Sequence, residues 1–229
     1  MTLNSIRSAA VLVALTTMQQ PFHAQFDHLV VAIRSLDEGV ASFQKLTGVK
    51  PGIGGRHPGR GTENALVSLG DGRYLEIIAP QKDATLRPGD EMMRGLTDLT
   101  IVGWAVSVTD METLSQRLSA VPVAPGAIQS GSRVTTDGHT LEWATLDITQ
   151  PQIATAPFFI RWSPTTTHPS KTSPGGCALT ALEVSDPQGA TLERALSALG
   201  VEGVSLTSGA AHLGARLTCG GRAIELRSR

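Results

Sequence analysis

Gly72-Arg73-Tyr74-Leu75-Glu76-Ile77 is echoed near the far end of the chain by Gly221-Arg222-Ala223-Ile224-Glu225-Leu226. Each copy places a tight turn before a strand that carries one carboxylate among apolar neighbours. Internal self-similarity of this kind points to architecture before any single residue does. Working upstream from Glu76, the chain offers a strand at Phe26 to Ile33, a helical stretch from Leu36 to Leu46 closed by Gly48-Val49, and a strand at Asn64 to Leu69. Upstream of Glu225 it offers a strand at Ala178 to Val184, a helical stretch from Ala190 to Leu199 closed by Gly200-Val201, and a strand at His212 to Thr218. Apolar residues three and four apart mark the helices, with Val40, Phe43 and Leu46 on one face and Leu192, Ala195, Leu196 and Leu199 on the other. β-Branched runs bounded by Gly and Asp mark the strands.

A diverged third version lies between the two. Ile101 to Val108 reads as a strand, Asp110 as the N-cap of a helix from Met111 to Ala120, and Asp137-Gly138 as a hairpin turn. Leu141 to Ile148 and Pro157 to Trp162 complete it. The predicted fold class is α+β: three βαβββ modules at residues 25–80, 99–163 and 177–229, the last two joined by a proline-bearing linker at 164–176.

The 229 residues, 41% hydrophobic and 17% charged, suffice for a substantial core. A formal charge of -1 and only five Phe, three Trp and one Tyr supply neither a basic stripe nor stacking platforms, which argues against a nucleic-acid partner. Residues 1–24 stand apart. Arg7 is their only Lys, Arg, Asp or Glu, the apolar run Ala9 to Leu15 is too short to span a bilayer, and a polar stretch precedes Ala24. This suits a secretory signal peptide cleaved after Ala24, hence a periplasmic or secreted protein; without such a leader the protein would be cytoplasmic. Cys177 and Cys219 lie on neighbouring strands of the last module and read either as a disulfide in an oxidising compartment or as two small core thiols.

The most punctuated segment is Gly54-Gly55-Arg56-His57-Pro58-Gly59-Arg60-Gly61-Thr62-Glu63-Asn64. Its glycines let backbone approach a ligand closely, while Arg56, His57, Arg60 and Asn64 supply donors for an anionic or carbonyl group, so it reads as a binding loop, the alternative being a solvated hairpin loop whose glycines serve only turn geometry. On their strands His28 and Glu76 are polar groups set in apolar faces. A buried carboxylate needs a partner, a proton, a metal or a cavity, and an imidazole and a carboxylate on adjacent strands could supply two ligands to a divalent ion. The glycine cluster lacks the Lys-Ser/Thr of a phosphate loop, and no Gly-x-Ser-x-Gly elbow is present. His139 and His168 read as surface histidines, and His212 carries no assigned role.

The opening Phe26-Asp27-His28-Leu29-Val30-Val31, the stretch His57-Pro58-Gly59-Arg60-Gly61-Thr62-Glu63-Asn64-Ala65-Leu66, the strand Tyr74 to Pro80 and Pro157 to Trp162 together resemble the glyoxalase-like domains of the vicinal-oxygen-chelate superfamily. The resemblance implies paired modules curving into a cup around a divalent ion (iron, zinc, manganese or nickel) or around a ligand without metal. It places His28, Glu76 and Glu225 at metal-ligand positions, while the fourth position falls on Thr180 or Cys177 and does not match. His57 could instead join His28 and Glu76 in a two-histidine, one-carboxylate set. Two functions follow. One is a metal-dependent lyase, isomerase or dioxygenase acting on a small oxygen-rich molecule, with Glu76 and His57 catalytic. The other is a non-catalytic cup in which Arg56, Arg60, Asn64 and Trp162 hold a small ligand. An unpaired module would leave a sheet edge suited to a homodimer.

Overall fold

A computed structural model of the protein describes residues 21–229. The first module runs β1 (Ala24–Ala32), α1 (Leu36–Thr47), β2 (Gly52–His57), β3 (Thr62–Gly70) and β4 (Arg73–Pro80). The second runs β5 (Thr100–Val108), α2 (Met111–Ser119), β6 (Ala124–Pro125), β7 (Gln129–Thr135), β8 (Thr140–Leu146), β9 (Ile148–Gln150) and β10 (Phe158–Trp162). The third runs β11 (Cys177–Asp186), α3 (Gly189–Leu199), β12 (Ser205–Ser208), β13 (His212–Cys219) and β14 (Arg222–Arg227).

The helices follow from local signals. Gly48 takes the left-handed conformation that closes α1, its N–H donating to the Gln44 carbonyl, and Asp110 caps α2 by accepting from the Thr113 N–H. The buried face of α1 is Leu36, Phe43 and Thr47, with Val40 half-buried beside them, whereas Leu46 is exposed. The α3 face Leu192, Ala195, Leu196 and Leu199 is buried as its spacing predicts.

Modules one and two share one topology. β1 pairs parallel with β4, β4 antiparallel with β3, and β3 with β2; β5 pairs parallel with β10, β10 antiparallel with β8, and β8 with β7. Antiparallel seams β1–β5 and β2–β7 join the halves into a closed barrel ordered β1-β4-β3-β2-β7-β8-β10-β5. The main core lies on the barrel's outer face, where Leu29, Val31, Leu75, Ile77, Trp104 and Val106 meet the helices. A smaller cluster inside, Val30, Ala32 and Ile78 against Met93 and Leu96, sets the short helical turn Asp90–Gly95 over the lumen-facing side of β1 and β4.

The third module repeats the element order but not the strand neighbours. Its sheet is ordered β12-β11-β13-β14, so β14 is an edge strand beyond β13, whereas β4 lies between β1 and β3. The echoed phrase therefore marks a turn and a strand without marking an equivalent place. This sheet packs its apolar face (Leu182, Val184, Leu213, Leu217) into the common core. A disulfide joins Cys177 to Cys219, which face each other across β11 and β13.

Most of the expected leader lies outside the described residues. Its last residues are folded: Phe22 lies under the Arg117 guanidinium, the His23 backbone bonds to Thr109, and Ala24 pairs with Val108. Among the described residues no helix is long and apolar enough to cross a membrane.

Candidate functional site

The barrel encloses a cavity of about 540 Å³ whose two walls differ in chemistry. Module one contributes His28, His57, Asn64, Tyr74 and Glu76, each on a strand position that alternation turns inward. Module two contributes an aromatic and aliphatic surface, Trp143, Phe158, Ile160 and Trp162, together with a polar β7 edge of Gln129, Ser130, Ser132 and Arg133. The inward places on β10 are thus aromatic or aliphatic, and among the described residues no His, Cys, Asp or Glu of the second module converges with Glu76 on a metal position as the superfamily resemblance implies.

Glu76 is the centre of the polar wall. Asn64 Nδ2 donates to its Oε1 at 2.6 Å, His57 Nε2 stands 3.6 Å from the same oxygen, and His28 Nε2 stands 3.9 Å from Oε2. Burial pushes the carboxyl up, but His57, His28, the Asn64 bond and Arg60 together outweigh it and hold Glu76 below its ordinary value. Both imidazoles are anchored through Nδ1, His28 by Asp27 Oδ1 at 2.6 Å and His57 by Thr62 Oγ1 at 2.9 Å. Each ring therefore keeps a fixed orientation with Nε2 toward the carboxylate. Tyr74 stacks on His28 with ring centroids 4.4 Å apart, and burial raises its phenol well above the ordinary value.

Behind His28 lies a hub that sequence reasoning missed. A bulge between Phe26 and His28 interrupts pairing with β5 and brings Asp27 to the same network as its neighbour. Asp27 is 2% exposed and accepts from Trp162 Nε1 at 3.2 Å, while His168 Nε2 lies 3.1 Å away. Burial opposes its charge, yet the bonds to His168 and His28 hold its pKa down to about 2. His168 is accordingly no surface histidine: the segment expected to be a linker folds back, with Pro169 buried at the cavity and the Pro174 carbonyl accepting from Ser68.

Several other expectations are corrected. The glycine-rich segment is a hairpin rather than a loop, since Gly54 to His57 belong to β2 and Thr62 to Asn64 to β3. Because His57 points inward, its neighbour Arg56 points out, three-quarters exposed and near Glu63. Arg60 is held by two bonds to Asp90, at 2.8 and 3.0 Å, which tie the hairpin tip to the turn at one end of the cavity. Glu225 is exposed on the edge strand and pairs with Arg227, outside the cup. Thr180 is exposed, donating to the Arg216 carbonyl, and Cys177 is in the disulfide, so neither supplies a fourth ligand. Trp162 and Asn64 do line the cavity, joined by Trp143 and Arg133, which the sequence reading did not single out.

His28, His57 and Glu76 have the chemistry of a two-histidine, one-carboxylate metal set but not its geometry. The imidazoles address opposite oxygens of the carboxylate, and Asn64 occupies Oε1. Among the described residues no group of three or more His, Cys, Asp or Glu side chains converges to hold an ion. As folded, the residues do not fit a three-ligand centre.

His57 gives the site a pH signature. Burial is the largest influence and outweighs the attraction of Glu76, lowering its pKa to about 4. Between the unfolded value of 6.5 and pH 4 the unfolded chain holds a proton there that the folded chain lacks, so stability falls as pH drops. The expected loss is about 3 kcal/mol across that window. Denaturant titrations at successive pH values check it, and His57→Gln should flatten that part of the profile; an unchanged profile in the variant would assign the loss elsewhere.

The sequence profile of the glyoxalase-like domain matches residues 26–200. Among solved structures, a hypothetical protein from Staphylococcus aureus aligns with a TM-score of 0.61 at 18% identity, over 90% of this chain and 86% of that one. Methylmalonyl-CoA epimerase from Mycobacterium tuberculosis aligns with a TM-score of 0.44 at 17% identity, over 62% of this chain and 88% of that one. No curated protein matches the chain. The first likeness establishes the fold alone.

Proposed function

The chain belongs to the glyoxalase-like domain family of the vicinal-oxygen-chelate superfamily, and from that premise we propose that its cup binds a small oxygen-rich molecule and moves a proton on it, as a lyase or isomerase with Glu76 as the base. The observation that carries this reading is a buried carboxylate held ionised at the cavity wall, with one oxygen engaged by Asn64 and the other, Oε2, accepting no hydrogen bond among the described residues. A carboxylate so placed is poised to take a proton from a carbon beside a carbonyl: the C–H bond breaks, the O–H bond forms at Oε2, and the electron pair moves into the carbonyl to give an enolate. His28 Nε2, 3.9 Å from that oxygen and backed by Asp27, is the next station for the proton. The aromatic wall of Trp143, Phe158 and Trp162 covers the rest of the ligand and limits water beside the enolate.

The test is proton exchange in D2O. A panel of small 2-oxo acids and hydroxyketones is incubated with the protein, and loss of the α-proton signal is followed by NMR. Acceleration by wild type that falls by about a hundredfold or more in Glu76→Gln, and persists with chelator, is the expected result. Exchange that Glu76→Gln leaves intact, or that chelator abolishes, would overturn the assignment. Binding without any exchange would leave the cup a sequestering site. The Cys177–Cys219 bridge suits an oxidising compartment, and together with the apolar run Ala9 to Leu15 it supports export.

A further inference from the structure

We propose that Arg133 is the anchor of a carboxylate subsite, so that the cup takes small monocarboxylic acids with an apolar body; this rests on the cup being the ligand site. Arg133 is on β7, two residues beyond Gly131 on the same inward face. It is 4% exposed, yet among the described residues no carboxylate lies within ion-pairing distance and its Nη1 has no hydrogen-bond partner. The neighbouring charges differ: Arg60 is paired with Asp90, Asp27 with two histidines, and Glu76 with Asn64 and its flanking imidazoles. A guanidinium does not shed its proton in a protein, so Arg133 keeps its charge, with Glu76 acting on it at a distance and no anion in contact among the described residues. An unpaired buried charge costs several kcal/mol, which a ligand carboxylate would offset on binding.

The surroundings are shaped for that cation. A Cβ at Gly54 would lie 2.7 Å from Arg133 Nη1 and would collide with Asn64 Oδ1, so glycine is what leaves room for both groups. Asn64 Oδ1 is itself without a partner. A bond between the two would satisfy one N–H but would leave the charge uncompensated, because an amide oxygen is neutral. A Cβ at Gly131 would collide with the Trp143 indole, so glycine also seats the ring beside the guanidinium's strand. The Glu76 carboxylate on the same cavity disfavours a doubly charged phosphate, and the planar Arg133 fork matches a carboxylate through two parallel bonds. Trp143, Trp162, Phe158 and Ile160 are the surface for the apolar body.

The indole N–H signals of the three tryptophans supply the readout. Trp143 and Trp162 line the cavity, while Trp104 is fully buried, bonded to the Thr155 carbonyl, and serves as an internal control. The folded protein is titrated at pH 7 with phenylacetate and, separately, with its neutral isostere phenylacetamide. Wild type should bind the acid at least tenfold more tightly than the amide, with shifts at Trp143 and Trp162 and none at Trp104. Arg133→Met should reduce the acid to the level of the amide, and Arg133→Lys, which keeps the charge, should fall between and guard against a folding artefact. Equal affinity for acid and amide in wild type, or undiminished acid binding in a folded Arg133→Met, overturns the carboxylate subsite while leaving the cup as a ligand site. No shift at either cavity tryptophan with either probe removes the cup reading and the subsite with it.

Discussion

Gly55→Val should open the barrel, with a loss of about 4 kcal/mol or more in stability, at the scale where single substitutions are diagnostic. The two halves meet along β2–β7 through just two paired positions, Gly55 with Thr135 and Arg56 with Val134. Gly55 has φ of 145°, a backbone conformation that side chains rarely adopt, and a Cβ there would fall on the Val134 carbonyl oxygen. The obstruction is backbone rather than the end of a flexible side chain, so relief requires separating the strands. Separation would remove His57 and Arg133 from opposite sides of the same seam and dismantle the polar wall. Gly103→Ala, where a Cβ meets nothing within 4 Å, should be near neutral and serves as the control. Thermal unfolding, together with hydrogen exchange at Arg56 and Val134, provides the measurement. A Gly55→Val protein that retains wild-type stability and protected seam amides would show that the closure tolerates a side chain after all.

The seam also explains which parts of the site could be read from sequence. His28 and Glu76 were legible because each is a polar residue on a strand face that is otherwise apolar, and such faces can be traced by alternation alone. Alternation would also have sorted His57 from Arg56, one inward and one outward, had Gly54 to His57 been recognised as strand. Their glycines concealed it, since glycine is depleted in strands and signals turns, whereas here Gly54 and Gly55 are needed for close approach of neighbouring groups. Glu225 misled for a different reason. A repeated phrase preserves a turn and a strand, but the neighbours of that strand are set by tertiary pairing, and β14 has an edge where β4 has two partners. Arg133 lies in Gln129-Ser130-Gly131-Ser132-Arg133, an ordinary polar strand by composition, and becomes notable only once the fold buries it with no carboxylate of the described residues in contact. His168 was unreadable because its partner Asp27 is 141 positions away.

That distant contact makes Asp27→Ala the other substitution of large effect, with an expected loss of about 3–5 kcal/mol, the usual consequence of removing one partner from a buried charged network. The alanine would leave His28 Nδ1, His168 Nε2 and the Trp162 indole N–H without their common acceptor in a region that water reaches poorly. For a chain of this size that corresponds to a fall in Tm of roughly 10 °C. The pH profile separates the network from simple packing. Asp27 has a folded pKa of about 2 against 3.8 unfolded, so its ionisation contributes stability that is present above 3.8 and lost as pH falls to 2. Wild type should lose about 2 kcal/mol from this residue over that interval, and the variant should not. The indole signal of Trp162 should shift even at neutral pH, while that of Trp104, bonded elsewhere, stays in place. The same variant frees the His28 ring to rotate, so proton exchange dependent on Glu76 should weaken without being abolished, since Glu76 keeps its bond to Asn64. A stability loss below about 1 kcal/mol, with the acid profile unchanged, would mean that these donors find other acceptors and that Asp27 is not the hub.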